Sequence, residues 1–455
     1  MKFEELWENY LNQDITEISD EIIAVFREPL APKIREEYDI GEMIIEFTGH
    51  HETAKQYDKI EELRRVLKIH QEELYEEDGD YLNESLIEYY CFREDLGKIK
   101  ENLIDFIERE YDYDLLIKSI KQIQYYGYSE IIDKLIEKEF TKVRDSAKLI
   151  DGAEFELAKF KYHIELEKLF KSPEGKDSYD WIEFGKRISP YGFKFNEEYL
   201  AALETGLLKK GIADEGLDLL KDFPKEKTYI MGTLEMMFLK YMDQKGCCFP
   251  ISGVIWYELF QYFENKKERN WPNYFKIGKK DYEQFLSSKS GFISDNTIDI
   301  VLILWGSSYF LDFIKKLGVI NEEQYLAQKE LVKKVMLKFR EENRYYLWKY
   351  SFVHEWESYE GEELAERELA EKEFKASYDL PVESEEFDML KFDSLFKEPL
   401  RTSPKEGIYQ RLIKPERKIG RNEKVTVKYS NGIVKKEIKY KHILKDLEEG
   451  KCEIV

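Results

Sequence analysis

His50-His51-Glu52, with Glu46 one helical turn before His50, is the cluster in this chain that comes nearest to a metal site. A metal ion needs imidazole and carboxylate ligands that converge on one point, which on a helix means a spacing of three or four residues, as in His-Glu-x-x-His. Adjacent histidines face different sides, so a loop or helix-start role is the simpler expectation. His50 and His51 stay as weak metal candidates, and no cofactor is expected. His354-Glu355 has no better spacing. Glu373-Phe374-Lys375 has the Glu-x-Lys order of metal-dependent nucleases, but that chemistry needs a strand with an Asp on its neighbour, and here the triplet closes a charged helix. The sequence shows no Gly-rich phosphate loop, no Gly-x-Ser-x-Gly and no Cys/His nucleophile context. With 94 Asp and Glu, paired acids single nothing out. No catalytic residue is expected.

Binding is better served than catalysis. Tyr125-Tyr126-Gly127-Tyr128, with Tyr90, could line a peptide groove, since the inner helices of a helical array present aromatic groups to an extended ligand. The commoner fate of such rings is packing against the next hairpin. Near the C-terminus, Lys424, Lys428, Lys435 and Lys439 form a candidate basic face, and Phe387, Phe392 and Phe396 form a sticky island that could dock on a groove.

What would position these groups is a repeat. Ile87, Phe92, Ile99 and Leu103 are echoed by Ile120, Tyr125, Ile132 and Ile136, 33 positions later in each case. One helical hairpin cannot bury its apolar stripe alone, so this period calls for hairpins stacked side by side. The stretch resembles the tetratricopeptide repeat family, which has a Gly-Asp-like turn between helices, a small residue five positions on and a large apolar residue four further. Gly127 opens such a turn before Ile132 and Ile136; Glu94-Asp95 does so before Ile99 and Leu103; Gly211, Gly216, Leu220 and Pro224 make a third copy. Ile99 and Ile132 stand where the family has an Ala-sized residue, which should push the helices of each hairpin apart. The resemblance, over about residues 81 to 255, implies a right-handed α-solenoid that binds a protein or peptide.

Composition agrees with a helical chain. Gly and Pro amount to 24 and 11 of 455 residues, and hydrophobic residues at 42% supply a large core. The net charge of −23 is uneven: residues 401–455 carry 15 Lys and Arg against 8 Asp and Glu, a charge of +7, and the rest carries −30. So acidic a body repels phosphate backbones, which leaves residues 401–455 as the place where nucleic acid could bind. Four cysteines are too few and too badly spaced for a disulfide framework. Met1 to Asn12 is amphipathic without the pattern of a secretory signal, and the longest purely apolar run, Ile300 to Trp305, is short for a membrane span. A cytoplasmic protein with no membrane contact is expected.

In order, the expectation is an N-terminal helical segment (1–80), repeats (81–255), further hairpins (256–354), a charged helix and tether (355–418), and a basic ββαβ tail (419–455). The acidic run Glu76 to Asp80 should close the helix before the repeats. Lys266 to Lys280 should be a surface connection. Asn321 with Gln324 has the spacing of a capping box. The charged helix from Glu360 to Lys375 should project into solvent. In the tail, Asn431-Gly432 between alternating runs marks a hairpin in which Lys428 faces Lys435 and a last strand follows at Cys452 to Val455. Gly420-Arg421-Asn422-Glu423 resembles the opening of the small zinc-binding tail of the SecA translocase motor, but Lys424 to Thr426 stand where the family has Cys-x-Cys, which implies a shared tail without the zinc. The function expected is a non-catalytic scaffold or adaptor. The alternatives are a metal-dependent enzyme near His50 and His51, and a nucleic-acid accessory protein acting through the tail.

Overall fold

The computed structural model describes residues 3–108, 113–145, 153–172, 179–193, 195, 197–208, 226–266, 273–289, 297–381, 424–429, 434–439 and 451–454. Most of them are helical. The first nine helices are α1 (Phe3–Asn12), α2 (Ser19–Phe26), α3 (Pro32–Glu37), α4 (Ile40–Thr53), α5 (Tyr57–His70), α6 (Glu72–Phe92), α7 (Leu96–Glu108), α8 (Tyr113–Tyr125) and α9 (Ser129–Asp145). Then come α10 (Ala153–Lys171), α11 (Trp181–Ile188), α12 (Glu197–Leu208), α13 (Lys227–Asp243), α14 (Phe249–Asn265), α15 (Lys279–Ser287), α16 (Thr297–Lys316), α17 (Glu322–Glu342) and α18 (Leu364–Ala376).

The 33-residue echo is visible in the backbone. Helices α6 and α8 end at Phe92 and Tyr125, and the residue two further on, Glu94 or Gly127, has positive φ, +57° and +83°. At Gly127 the Tyr128 N–H reaches the Ile123 carbonyl and the Gly127 N–H reaches that of Gln124; at Glu94 the Asp95 and Glu94 N–H groups reach Tyr90 and Cys91 in the same way. This is the Schellman turn, which satisfies the last carbonyls of a helix with a left-handed residue. The α4–α5 turn repeats it at Lys55 (φ +59°), and so do the turns at Gly246 and Gly318. Chain reversal at each such turn makes a hairpin. The hairpins lie side by side, because α6 packs on α4, α5, α7 and α8. Ile99 and Ile132, the large residues at the repeat's small position, are both fully buried. Gly211, Gly216 and Pro224, the third copy, lie outside the described residues.

Polar groups lock neighbouring hairpins as well. Buried Arg64 of α5 donates from Nε to Asn83 of α6 at 2.7 Å and from Nη2 to Asp105 of α7, whose Oδ2 also accepts from Tyr75 OH at 2.9 Å.

Three boundaries differ from expectation. Glu76 to Asp80 lies inside α6, which starts at Glu72; glutamate is a good helix former, and Glu72 and Glu73 suit the positive end of the helix dipole. Residues 273–278 are no mere surface connection, since Tyr274, Phe275 and Ile277 are buried among Phe263 and Phe310. Helix α18 is docked by Phe374, fully buried against Trp305 and His354, and by the ion pairs Arg340–Glu373 and Lys333–Glu366. The capping box at Asn321 and Gln324 is present.

Helix α16 is long and apolar enough to cross a membrane, but almost all of it is buried within the fold, against α13, α14 and α17. Beyond the helices, β1 (Lys424–Tyr429), β2 (Val434–Lys439) and β3 (Cys452–Ile454) form an antiparallel sheet in the order β2-β1-β3. The helix of the expected ββαβ tail falls outside the described residues, as do Phe387, Phe392 and Phe396.

Candidate protein-binding groove and basic tail

The face shared by α4, α6 and α8 carries the tyrosines that could have lined a peptide groove or packed within the array. It is occupied by the chain itself. Residues Leu347–His354, a 3-10 stretch kinked at Tyr350, run along it. Lys55 Nζ donates to the Tyr345 carbonyl at 3.2 Å, Gln122 Nε2 to that of Lys349 at 2.9 Å, and Tyr126 OH lies 3.3 Å from the carbonyls of both Trp348 and Lys349. Trp348, fully buried, meets Tyr57 and Phe92 edge to face; Phe352 lies against Tyr125 and Tyr126. Tyr378, just beyond α18, closes the cluster over Tyr89, Phe92 and Trp348.

The four tyrosines therefore do not form an open lining. Tyr125 is 2% exposed and donates to Asp299 at 2.9 Å, and Tyr90 is 6% exposed beside Glu61, so neither can meet a ligand from solution. Tyr126 is spent on the 345–354 segment, while Tyr128 stays half-buried just beyond it. The alternation of apolar residues cannot distinguish a ring facing solvent from one facing a distant part of the same chain. The residues that build the site and were missed are Lys55, Tyr57, Gln122, Trp348 and Lys349. The available signal was density: residues 345–356 hold six of the chain's Tyr, Trp and Phe.

Charge is concentrated in the same place. Lys349 Nζ lies 2.5 Å from Glu88 and 3.7 Å from Glu52. Burial alone would lower the Lys349 pKa, but Glu52 and Glu88 hold it well above the usual lysine range. Burial raises the Glu84 carboxyl to about 8, helped by Glu88, with Lys118 at 4.0 Å a weaker opposing influence. A carboxyl that stays protonated in the fold but ionises in the unfolded chain makes stability fall as pH rises from about 4.5 to about 8. Glu84→Gln mimics the protonated form. It should gain on the wild type over that window by up to ~1.4 kcal/mol per pH unit, read as the difference between two urea titrations; parallel pH profiles would contradict the assignment.

A second buried group joins two distant parts of the chain. Lys121 of α8 pairs with Asp299 of α16 at 2.7 Å, and Lys159–Glu156 and Lys289–Glu258 pairs stand nearby. Burial would raise Glu156, but Lys159 and Lys121 bring it down to about 2. Each of these charges has an opposite partner, so the cluster holds helices together and offers no free acid or base.

His50 and His51 separate as their adjacency requires. His50 is exposed; His51 is fully buried on Phe47, with Ser19 Oγ at 2.9 Å and Gln56 Oε1 at 2.7 Å. Both ring nitrogens are engaged, and burial lowers the His51 pKa. Among the described residues no group of three or more His, Cys, Asp or Glu is gathered for a metal ion. His51→Ala should therefore cost ~1–3 kcal/mol through the void left against Phe47 and leave the metal content of purified protein unchanged; bound metal lost on substitution would restore the metal reading. Glu373-Phe374-Lys375 is on a helix, with Glu373 paired to Arg340 and Lys375 to Glu371 at 2.7 Å. Burial pushes the Cys248 thiol up to about 12, far from a reactive thiolate.

In the tail the register departs from simple alternation. Lys424 pairs with Lys439 and Val425 with Ile438 as expected, but a bulge then shifts the ladder so that Val427 pairs with Lys435 and Lys428 with Val434. Lys428 and Lys435 therefore lie on opposite faces, and Lys435 Nζ sits 4.9 Å from the Tyr429 ring. The physical gain is the separation of two like charges, and β3 places Glu453 opposite Lys428. A continuous face of four lysines does not form.

No family model and no solved structure matches this chain. One stretch of 59 residues is 37% identical to a protein translocase subunit SecA from Amoebophilus asiaticus, covering 13% of this chain and 5% of that protein. A match of that length fits the resemblance of the tail to the SecA type.

Proposed function

We propose that the chain is a non-catalytic interaction scaffold, a right-handed solenoid of divergent tetratricopeptide-like hairpins that holds a protein or peptide partner, with the basic tail as a second contact. The observation that carries this reading is the chemistry of the α4–α6–α8 face. Its polar side chains bond main-chain carbonyls of a short 3-10 segment, and its rings and carboxylates receive that segment's side chains in turn. Such a surface reads polypeptide. The tail's likeness to part of a protein translocase is compatible with a protein partner. Nucleic acid binding is the competing reading, favoured by the +7 charge of residues 401–455; the split of Lys428 and Lys435 between two faces weakens it.

The test is cross-linking of the intact chain in lysate, with the charge-reversed tail Lys428→Glu/Lys435→Glu/Lys436→Glu beside it. The scaffold reading expects a defined set of polypeptides that survives nuclease treatment and falls at least about fivefold on charge reversal, as the loss of several contacts near an acidic partner would give. Capture that vanishes with nuclease supports nucleic acid instead. No captured polypeptide ends the scaffold reading.

A further inference from the structure

Residues 345–354 lie against the first hairpins as a peptide lies in a receptor. The segment connects α17 to α18, on which it also packs, and its main chain is read at Tyr345, Trp348 and Lys349 by side chains from the α4–α5 turn and from the end of α8. Between those bonds its side chains enter separate seats. Trp348 enters a cage of Tyr57, Phe92 and Tyr378; Lys349 meets Glu52 and Glu88; Phe352 rests on Tyr125 and Tyr126. The seat for Lys349 sets two carboxylates, Glu88 at 2.5 Å and Glu52 at 3.7 Å, against one ammonium. A partner that takes the same 3-10 conformation with the same order of groups would make the same contacts. Main-chain bonds supply affinity in such a groove, and the side-chain seats supply selection.

We propose that the groove across α4, α6 and α8 is a receptor for a short helical peptide bearing an aromatic residue, a lysine directly after it and a second aromatic residue three positions after the lysine, and that residues 345–354 are an internal strap occupying the groove until such a segment displaces them. This rests on the interaction-scaffold reading and adds to it the class of partner and the means of control. A partner must compete with a tethered occupant, so the apparent affinity of the closed protein is reduced by the fraction of time the strap is open. Weakening the strap without altering the groove raises it.

The probe is a fluorescent synthetic peptide of residues 344–355, titrated by polarisation against the full chain and against Lys349→Ala, a change on the strap side alone. The peptide should bind Lys349→Ala at least about tenfold more tightly than the wild type, as release of an internal competitor predicts, and the same peptide with glutamate in place of its lysine should not bind. Hydrogen exchange on the unaltered chain gives a second reading that needs no variant: a displaceable strap exchanges the amides of residues 347–354 about tenfold or more faster than those of α16, by local opening. Exchange of both in one cooperative step, or a folded Lys349→Ala chain that ignores the peptide or accepts the glutamate version equally, makes the segment a fixed part of the core and overturns the proposal. In that case polypeptide capture by the intact chain would still stand, so the loss of the strap and the loss of the scaffold reading are separate results.

Discussion

Trp348→Ala is expected to lower stability by about 3–5 kcal/mol, measured by urea unfolding followed with far-ultraviolet circular dichroism. The indole is fully buried and touches two distant parts of the chain: Tyr57 and Phe92 from the first hairpins, and Tyr378 from beyond α18. Its removal leaves a large void in a place that cannot collapse easily, because Tyr57 and Tyr89 are already stacked at 4.3 Å and the 345–354 main chain is held by Gln122 and Tyr126. A native stability of about 5–15 kcal/mol makes that loss a large share of the total. Trp348→Phe keeps a ring in the cage and should lose less than half as much. A loss under about 1 kcal/mol for alanine would mean that the indole is not enclosed as described.

The second large effect is Asp299→Ala. It strands the Lys121 ammonium, 8% exposed, and removes the acceptor of the Tyr125 hydroxyl at the same time. Removing one partner of a buried ion pair costs about 3–5 kcal/mol, whereas replacing both by apolar groups of similar size is often neutral. The two outcomes separate charge from packing. Asp299→Ala alone should be strongly destabilising, and Lys121→Met/Asp299→Leu should recover most of the loss. If the double variant is as unstable as the single one, the role of the pair lies in Tyr125 orientation and not in mutual neutralisation.

Much of the architecture was legible because helical hairpins are written locally. The echo from Ile87 to Ile120 and from Phe92 to Tyr125 marks helix ends, and Gly127 marks a left-handed turn; both follow from residue type and spacing. Glu94 and Lys55 take the same left-handed position without being glycine, which conceals the turn from a reading by composition. The start of α6 was missed for a different reason. An acidic run is as compatible with a helix interior as with a helix end, and tertiary packing on α4 and α5 decides between them. The groove could not be read in advance, since its occupant is more than 200 residues away from Gln122 and Tyr126 in the chain, at Trp348 to Ser351. Local periodicity carries no information about contacts at that range. The tail register was legible at its outer pairs and not near its turn, where a bulge separates Lys428 from Lys435.

The closing of the first hairpins by residues 345–354 can be examined directly with a photoreactive phenylalanine analogue at position 126. Tyr126 OH lies 3.0 Å from Ser351 Oγ and 3.3 Å from two carbonyls of the segment. Irradiation of the pure protein should give an intramolecular cross-link whose tryptic fragments join the residue-126 peptide to the one that ends at Lys349 or the one that begins at Tyr350. A cross-link to any other part of the chain, or a ring that stays unreacted and open to water, would contradict the structure of the groove and everything inferred from its occupant.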